Sequence, residues 1–116
     1  MNQPARYEKF IIPDGQEKVK YEKDTKVRNA ATFTIEREDH TIGNIVRMQL
    51  HTDKDVVFAG YRVPHPLEHK LEIKIQTTGN ITPIDALSTA VSDLRTQLMD
   101  IQTQFEIEAD KATMSY

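Results

Sequence analysis

The sequence predicts one small α+β domain, in which an antiparallel sheet of about four strands carries one short helix and one long C-terminal helix packed on one face. Several short segments alternate apolar and polar residues, which is typical of half-buried strands. Two other segments space their apolar residues three and four apart, as helices do. The length of 116 residues accommodates one hydrophobic core and is too short for a second, so we expect a single domain.

Four segments are predicted to form strands. They are residues 17–22, 31–37, 56–61 and 71–76. In the last segment Leu71, Ile73 and Ile75 alternate strictly with polar residues, which predicts a strand with one face in the core and one in water. The alternation in the first two segments predicts that they too are half-buried. Pro64 and Pro66 end the third segment, so we expect the third and fourth strands to pair antiparallel.

A short helix of about three turns is predicted after Asp39, whose side chain suits the N-cap position. Its apolar residues, which share one face, are Ile42, Ile45, Val46 and Leu50, with Met48 beside them. Gly43 lies in the first turns of this helix, where glycine costs about 1 kcal/mol relative to alanine. Such a glycine usually serves close packing, and we expect Gly43 to let another backbone approach.

A long helix is predicted to begin at Thr82-Pro83-Ile84-Asp85. This segment combines a capping hydroxyl, a proline at the first helical position and an acid three residues after the cap. No glycine or proline follows Pro83, so the helix should continue to about residue 112, over roughly 28 residues or about 42 Å. Residues 111–116 form a tail whose order the sequence leaves open, and residues 1–15 are interpreted as a docking arm.

The apolar residues of the long helix form a single seam, with spacings that alternate between three and four. Its members are Ile84, Leu87, Val91, Leu94, Leu98, Ile101 and Phe105. A repeat of this period keeps a narrow stripe facing a partner helix. Strands of about 23 Å and a short helix of about 18 Å cannot cover about 42 Å of helix. Part of the seam is therefore predicted to meet a second polypeptide. The alternatives are a homodimer and an intramolecular core with frayed last turns.

Composition excludes several classes of function. The net charge of −3 provides no general basic field, so direct binding of nucleic acid is not expected. The absence of cysteine excludes disulfides, thiolate zinc sites and cysteine nucleophiles, and it favours the nucleus or cytosol. No apolar run reaches the length of a membrane span, and no glycine-rich phosphate loop is present. We therefore expect no cofactor, no metal, no small-molecule ligand and no membrane association.

Two clusters of ionisable residues have simpler interpretations than catalysis. Glu38, Asp39 and His40 are adjacent, and adjacent residues rarely converge on one atom, so we interpret them as the entrance of the short helix. His65 and His69 are four residues apart, but Pro66 between them disfavours a helix that would bring both to one face. The basic residues between positions 18 and 28 are interrupted by acids and are interpreted as a solvated strand face.

Two stretches of the sequence resemble the small alpha-like subunits of RNA polymerase. They are residues 38–44, EDHTIGN, and residues 58–66, FAGYRVPHP. In that family the first stretch opens the dimerisation helix. The second stretch precedes a strand that ends in Gln-Thr-Thr, here residues 76–78, and then a long helix. The resemblance extends over residues 5–110. It implies an alpha-subunit dimerisation-type fold, similar to the archaeal L subunit and to the N-terminal dimerisation domain of the bacterial alpha subunit.

The resemblance also implies a specific partner. The start Met1-Asn2-Gln3-Pro4 and the run over residues 58–70 favour the RNA polymerase II branch over the relative shared by polymerases I and III. That branch implies a nuclear, non-catalytic subunit in a heterodimer with the third-largest subunit of polymerase II. The pair would form a platform for the other core polymerase subunits in mRNA transcription. Ile42 stands where leucine is usual and Arg62 where lysine is common, and both changes keep the character of the residue.

Carried over residue by residue, the resemblance implies a dimer interface on the two helices. Its residues are Thr41, Ile42, Gly43, Asn44, Ile45, Met48, Leu87, Val91, Leu94, Leu98, Ile101 and Phe105. No catalytic, cofactor-binding or metal-binding residue is implied, because the metal ions and catalytic carboxylates belong to other subunits. Two alternatives stay open: a homodimeric helical scaffold, and an α+β domain that binds a small molecule or RNA on its open sheet face. The outward positions Glu72, Lys74 and Gln76 lack the stacking aromatics that RNA recognition uses, which disfavours the second alternative.

Overall fold

The computed structural model describes residue 12 and residues 14–114. In chain order its elements are β1 (Val19–Lys23), β2 (Ala30–Glu36), α1 (His40–Leu50), β3 (Val56–Arg62), β4 (Lys70–Thr77) and α2 (Pro83–Met114). Within these residues the strands form one four-stranded sheet in the order β1-β2-β4-β3, and each neighbouring pair is antiparallel. The predicted fold class is confirmed. The predicted docking arm, residues 1–15, lies almost wholly outside the described residues.

The core forms between one face of the sheet and the two helices. In the central strands Phe33 lies opposite Ile73, and Ile35 lies opposite Leu71. All four side chains are buried, and the helices cover them with small and branched side chains, namely Val46, Leu50, Ala86 and Ala90. Apolar area removed from water stabilises the fold by about 25 cal/mol per Å². Along β2 and β4 buried residues alternate with less buried ones, so the predicted alternation is confirmed. The polar residues of these strands lie on the opposite, open face of the sheet.

Strand β1 differs from the prediction, because all five of its residues are exposed. Val19 and Tyr21 point to the core side, where Tyr21 contacts Phe33 with ring centroids 5.4 Å apart, yet they stay 44% and 48% exposed. The prediction of a half-buried first strand was wrong. Alternation identifies the side of the sheet to which a residue points, but burial requires a covering layer. Here α1 packs on β3 and β4, and α2 packs on β4.

Both predicted helix starts are confirmed. The backbone N–H of Thr41 donates to the Asp39 carboxylate at 2.9 Å, which caps α1. At α2 the N–H of Asp85 donates to the Thr82 hydroxyl at 3.1 Å, and the N–H of Thr82 donates to the Asp85 carboxylate at 3.4 Å. This reciprocal pair is a capping box with aspartate in the acidic position.

Helix α2 is longer than predicted. It spans 32 residues and includes residues 111–114, which the sequence assigned to a tail of open order, so the helical part is about 48 Å long. At its N-terminal end the buried Thr77 hydroxyl donates to the carbonyl of Ile81 at 2.6 Å. The backbone N–H of Thr77 donates to the carbonyl of Asn29 at 2.8 Å. These hydrogen bonds attach the start of α2 to the end of the sheet.

Candidate functional site

The fully buried face of α2 is offset from its apolar seam. The buried residues of α2 are Pro83, Ala86 and Ala90, and at 3.6 residues per turn they lie roughly 75° around the helix from the centre of the seam. Ile84 and Val91, both members of the seam, are 50% and 49% exposed. The small residues therefore allow the helix to lie close to the sheet. The large apolar side chains of the seam lie to one side of this contact.

The seam becomes more exposed toward the C-terminal end of α2. Leu87 and Leu94 are partly buried against the core. Farther along, Leu98, Ile101 and Phe105 are 58%, 64% and 72% exposed. An apolar surface of this length, arranged at heptad spacing, is unusual for a monomer and marks a protein-binding surface.

A groove of about 420 Å³ lies between α1 and α2. Its walls are almost wholly apolar, and the residues that line it are Ile42, Ile45, Val46, Val91, Leu94, Arg95, Leu98, Met99 and Gln102. At the contact between the two helices, the Gln97 amide donates to the Gln49 side-chain oxygen at 3.1 Å. The groove brings five of the predicted residues of the two helices together, although they are far apart in sequence: Ile42, Ile45, Val91, Leu94 and Leu98.

The predicted residues of α1 divide into outward and inward positions. Thr41, Asn44 and Met48 are exposed, and Ile42 and Ile45 are half-buried at the groove. Asn44 accepts a hydrogen bond from the Arg47 guanidinium at 2.8 Å. These five residues are accessible to a partner.

Gly43 is buried and lies against its own sheet. A Cβ atom at Gly43 would stand 2.5 Å from Cδ2 of Tyr61 and 2.7 Å from Cε2. Gly43 was expected to allow close approach of another backbone. That expectation was wrong, because the group packed against Gly43 is the aromatic ring of Tyr61 in the same chain. The Tyr61 hydroxyl is held in turn by a hydrogen bond with Nδ1 of His40 at 3.0 Å.

The ionisable clusters occupy structural positions. Glu38 forms an ion pair with Lys18 at 2.7 Å, and Asp39 caps α1. His65 accepts a hydrogen bond from the N–H of Leu67 at 3.1 Å, as expected of a turn. The next turn residue, Glu68, forms a hydrogen-bonded ion pair with Lys70 that lowers the pKa of the Glu68 carboxyl. Among the described residues no group of three or more His, Cys, Asp or Glu side chains could hold a metal ion.

The open face of the sheet carries a shallow depression whose charged residues are largely paired. Arg62 contacts Glu72 at 2.9 Å, and Lys74 contacts Asp24 at 3.4 Å. Phe58 also lies on this face, where its ring packs over Gly60. The expectation that this face lacks aromatic residues was therefore incomplete, although this ring is engaged with its own strand.

Sequence reasoning missed two sets of residues at this site. Ala86 and Ala90 are the contacts of α2 with the core, and alanine carries too weak an apolar signal to distinguish a packed face from a neutral one. Arg95, Met99 and Gln102 line the groove beside the seam. Met99 directly follows Leu98. It was missed because the spacings of three and four that define the seam lead from Leu98 to Ile101 and do not include position 99.

No helix in the described part of the chain is both long enough and apolar enough to cross a membrane.

Sequence comparison identifies relatives over almost the whole chain. The chain is 47% identical over 111 residues to the DNA-directed RNA polymerase II subunit rpb11 of Dictyostelium discoideum, covering 96% of this chain and 92% of the relative. It is 51% identical over 115 residues to the probable DNA-directed RNA polymerase II subunit RPB11 of Caenorhabditis elegans, covering 99% and 93%. The Schizosaccharomyces pombe subunit RPB11 is 46% identical over 105 residues, covering 90% and 85%.

A solved structure supports the fold independently. The crystal structure of DNA-directed RNA polymerase subunit L from Thermoplasma acidophilum matches with a TM-score of 0.69 at 22% identity, covering 86% of this chain and 98% of that one. The family model of the RNA polymerase Rpb3/Rpb11 dimerisation domain matches residues 30–104, which include β2, α1 and most of α2. This chain belongs to the RNA polymerase Rpb3/Rpb11 dimerisation domain family.

Proposed function

We propose that this chain is a non-catalytic subunit of DNA-directed RNA polymerase II that forms a heterodimer with the third-largest subunit, Rpb3. The single observation that carries the proposal is the exposed seam of α2, which continues into the apolar groove beside α1. The names of the relatives support membership of polymerase II. The family description, which joins Rpb3 and Rpb11 in one dimerisation domain, supports a partner of related fold.

The proposed interface consists of the outward residues of α1 and the seam of α2. It comprises Thr41, Ile42, Asn44, Ile45, Met48, Leu87, Val91, Leu94, Leu98, Ile101 and Phe105, with Gly43 supporting α1 from behind. A partner helix laid in the groove would contact Ile42, Leu94 and Leu98 together. The exposed C-terminal turns of α2 then require a second helix of comparable length, because about 17 Å of seam lies beyond Leu94.

The size of the exposed seam is sufficient to drive stable association. Complete burial of a large apolar side chain is worth about 1.5 to 3 kcal/mol, so covering the half-exposed members of the seam contributes on the order of 5 to 10 kcal/mol before association costs. That gain is comparable to the net stability of a small domain, about 5 to 15 kcal/mol. The heterodimer then serves as the alpha-like platform on which the large catalytic subunits assemble in the nucleus.

The proposal assigns no reaction to this chain. The groove is lined by apolar side chains with Arg95 and Gln102 at its border. The carboxylates of Asp39 and Asp85 cap helices, and that of Glu38 pairs with Lys18. A purified chain is expected to show neither nucleotidyl transfer nor strong binding to DNA.

The proposal is tested by affinity purification of the tagged chain, followed by mass spectrometry and light scattering. The expected result is a stoichiometric complex with the third-largest subunit of polymerase II. Co-purification with subunits specific to polymerases I and III would overturn the assignment to polymerase II. A symmetric homodimer without any partner would favour the helical scaffold instead.

A matched pair of variants tests the interface itself. Ile101→Asp places a charge on the exposed seam, and Thr103→Asp places the same charge on the opposite side of α2. We expect Ile101→Asp to abolish capture of the partner and Thr103→Asp to leave it intact, with both chains folded by circular dichroism. Full partner capture by a folded Ile101→Asp chain would contradict the proposed interface.

A further inference from the structure

A second groove lies between the turn that joins β1 to β2 and the start of α2. Its volume is about 520 Å³, and none of its lining residues lines the groove between the helices. The turn contributes residues 23–30, and the opposite wall is formed by Gly79, Ile81, Thr82 and Pro83. Tyr21 adds an aromatic ring at the edge.

Three cations converge on this groove. Lys23, Lys26 and Arg28 line it, and all three are exposed. Among the described residues, none of the three has a carboxylate within ion-pair distance, whereas Lys18, Lys70 and Lys74 each have one. The sequence suggested a solvated strand face with interspersed acids; in the fold one of those acids, Asp24, pairs with Lys74 on the open face of the sheet and not with these three cations.

The turn that carries the cations is held in a defined shape. The Asp24 carboxylate accepts hydrogen bonds from the N–H groups of Lys26 at 2.8 Å and Val27 at 3.0 Å. The N–H of Asp24 donates to the carbonyl of Ala30 at 3.0 Å, which closes the turn. Asn29 reverses the chain with a φ of 57°. The cations are therefore displayed on a structured turn, with less conformational entropy to lose on binding than a free loop would have.

Asp24 also lines the groove, and its carboxylate provides one negative charge beside the three cations. The backbone hydrogen bonds from Val27 and Lys26 lower the pKa of Asp24, with a smaller contribution from Lys74 on the open face of the sheet. The start of α2 is already capped by Thr82 and Asp85. The groove is therefore lined by three cations and one carboxylate, which leaves an excess of positive charge.

We propose that this groove docks an acidic segment of another protein. Carboxylates of the segment would pair with Lys23, Lys26 and Arg28, and an apolar side chain of the segment would contact Tyr21 and Ile81. Charge complementarity of this kind steers association and gives specificity to a docking surface. Three cations would form too few phosphate contacts for strong binding of nucleic acid. The site is separate from the proposed heterodimer interface and does not depend on it.

The test measures binding of a short fluorescein-labelled peptide, in which glutamates alternate with glycine around one central leucine, to the purified full chain. Fluorescence anisotropy at low salt is expected to show saturable binding. The double variant Lys23→Gln/Lys26→Gln should weaken the affinity by about tenfold, because each exposed charge contact contributes a few-fold. Arg28→Gln alone should weaken it several-fold.

The matched control is Lys20→Gln/Lys54→Gln, which removes the same charge from exposed positions outside the groove. It should change the affinity by less than about twofold, and the urea midpoints of all variants should equal that of the parent chain. Equal losses in the two double variants would overturn the proposal, as would absence of peptide binding to the parent chain. Tighter binding of charge-matched single-stranded DNA, sensitive to the same groove substitutions, would also overturn it.

Discussion

The aromatic ring of Tyr61 on β3 lies against the α-carbon of Gly43 on α1, and there is no space between them for a side chain. A Cβ atom on Gly43 would come within 2.5 Å of the ring. This contact seats α1 close to the sheet and thereby places Ile42 and Ile45 at the groove. A buried residue of this chain thus determines where the proposed surface for a partner lies.

Gly43→Ala is expected to destabilise the chain by about 1 to 2 kcal/mol. Alanine gains about 1 kcal/mol over glycine in helix propensity, but forcing a methyl group into a packed aromatic ring costs more, typically about 1 to 3 kcal/mol plus displacement of α1. Urea unfolding of the variant measures the change. An increase in stability would show that the ring moves aside without cost.

A double-mutant cycle isolates the contact between these two residues. Tyr61→Leu removes the ring, so Gly43→Ala should cost little in the Tyr61→Leu background. The coupling free energy is expected to be about 1 kcal/mol or more. Additive free energies in the two single variants would mean that Tyr61 does not restrict position 43.

Truncations along the seam should separate folding from association. Leu94→Ala removes a partly buried side chain and should cost the isolated chain about 1 to 2 kcal/mol. Leu98→Ala removes a side chain that is 58% exposed and should change that stability by less than about 0.5 kcal/mol. Urea unfolding and partner affinity are measured on both variants. We expect Leu98→Ala to weaken the complex, and an unchanged complex would contradict the assignment of Leu98 to the interface.

Ala90→Leu tests whether small residues hold α2 on the sheet. Ala90 is only 4% exposed, so a larger side chain must push the helix away, at a cost of about 1 to 3 kcal/mol. Ser88→Leu makes a similar change at an exposed position of the same helix and serves as the control. The midpoint of urea unfolding should fall for Ala90→Leu and stay close to the parent value for Ser88→Leu.

Thr82→Ala should remove the cap of α2. The N–H of Asp85 loses its acceptor, and loss of such a cap costs about 0.5 to 2 kcal/mol. Thr82→Ser retains the hydroxyl and should restore most of that stability. Thermal unfolding followed by circular dichroism compares the three chains, and an equal loss in the serine variant would assign the effect to the threonine methyl group.

Acid should destabilise the chain partly through Asp24. Its pKa is lowered below the ordinary value of 3.8, chiefly by the backbone N–H groups of Val27 and Lys26. A carboxyl whose pKa is lower in the folded state than in the unfolded chain stabilises the fold. This contribution is fully present when the pH is above the unfolded-state pKa. That stability is lost as the pH falls through the lower value of the folded state. The urea midpoint of Asp24→Asn should therefore depend less on pH below about 4 than that of the parent chain, and parallel profiles would contradict this role.

The elements of this fold could be predicted from the sequence because their signals are local. Asp39 and Thr82 mark helix starts through hydrogen bonds to residues two or three positions away. The alternation around Ile73 depends only on the period of an extended strand. The prediction of a partner also followed from the length of the seam relative to the other elements, and the resemblance then indicated the family.

Only the tertiary structure decided which surfaces are covered. Val19 and Tyr21 have the pattern of core residues but stay exposed, because the helices pack on β3 and β4 and do not cover β1 on the same face of the sheet. The contact face of α2 proved to be Ala86 and Ala90, so the large side chains of the seam remain available to a partner. Likewise, Gly43 packs against Tyr61, which is distant in sequence. Local periodicity is set by the backbone, whereas burial depends on which distant segments come together, and a single chain's pattern does not contain that information.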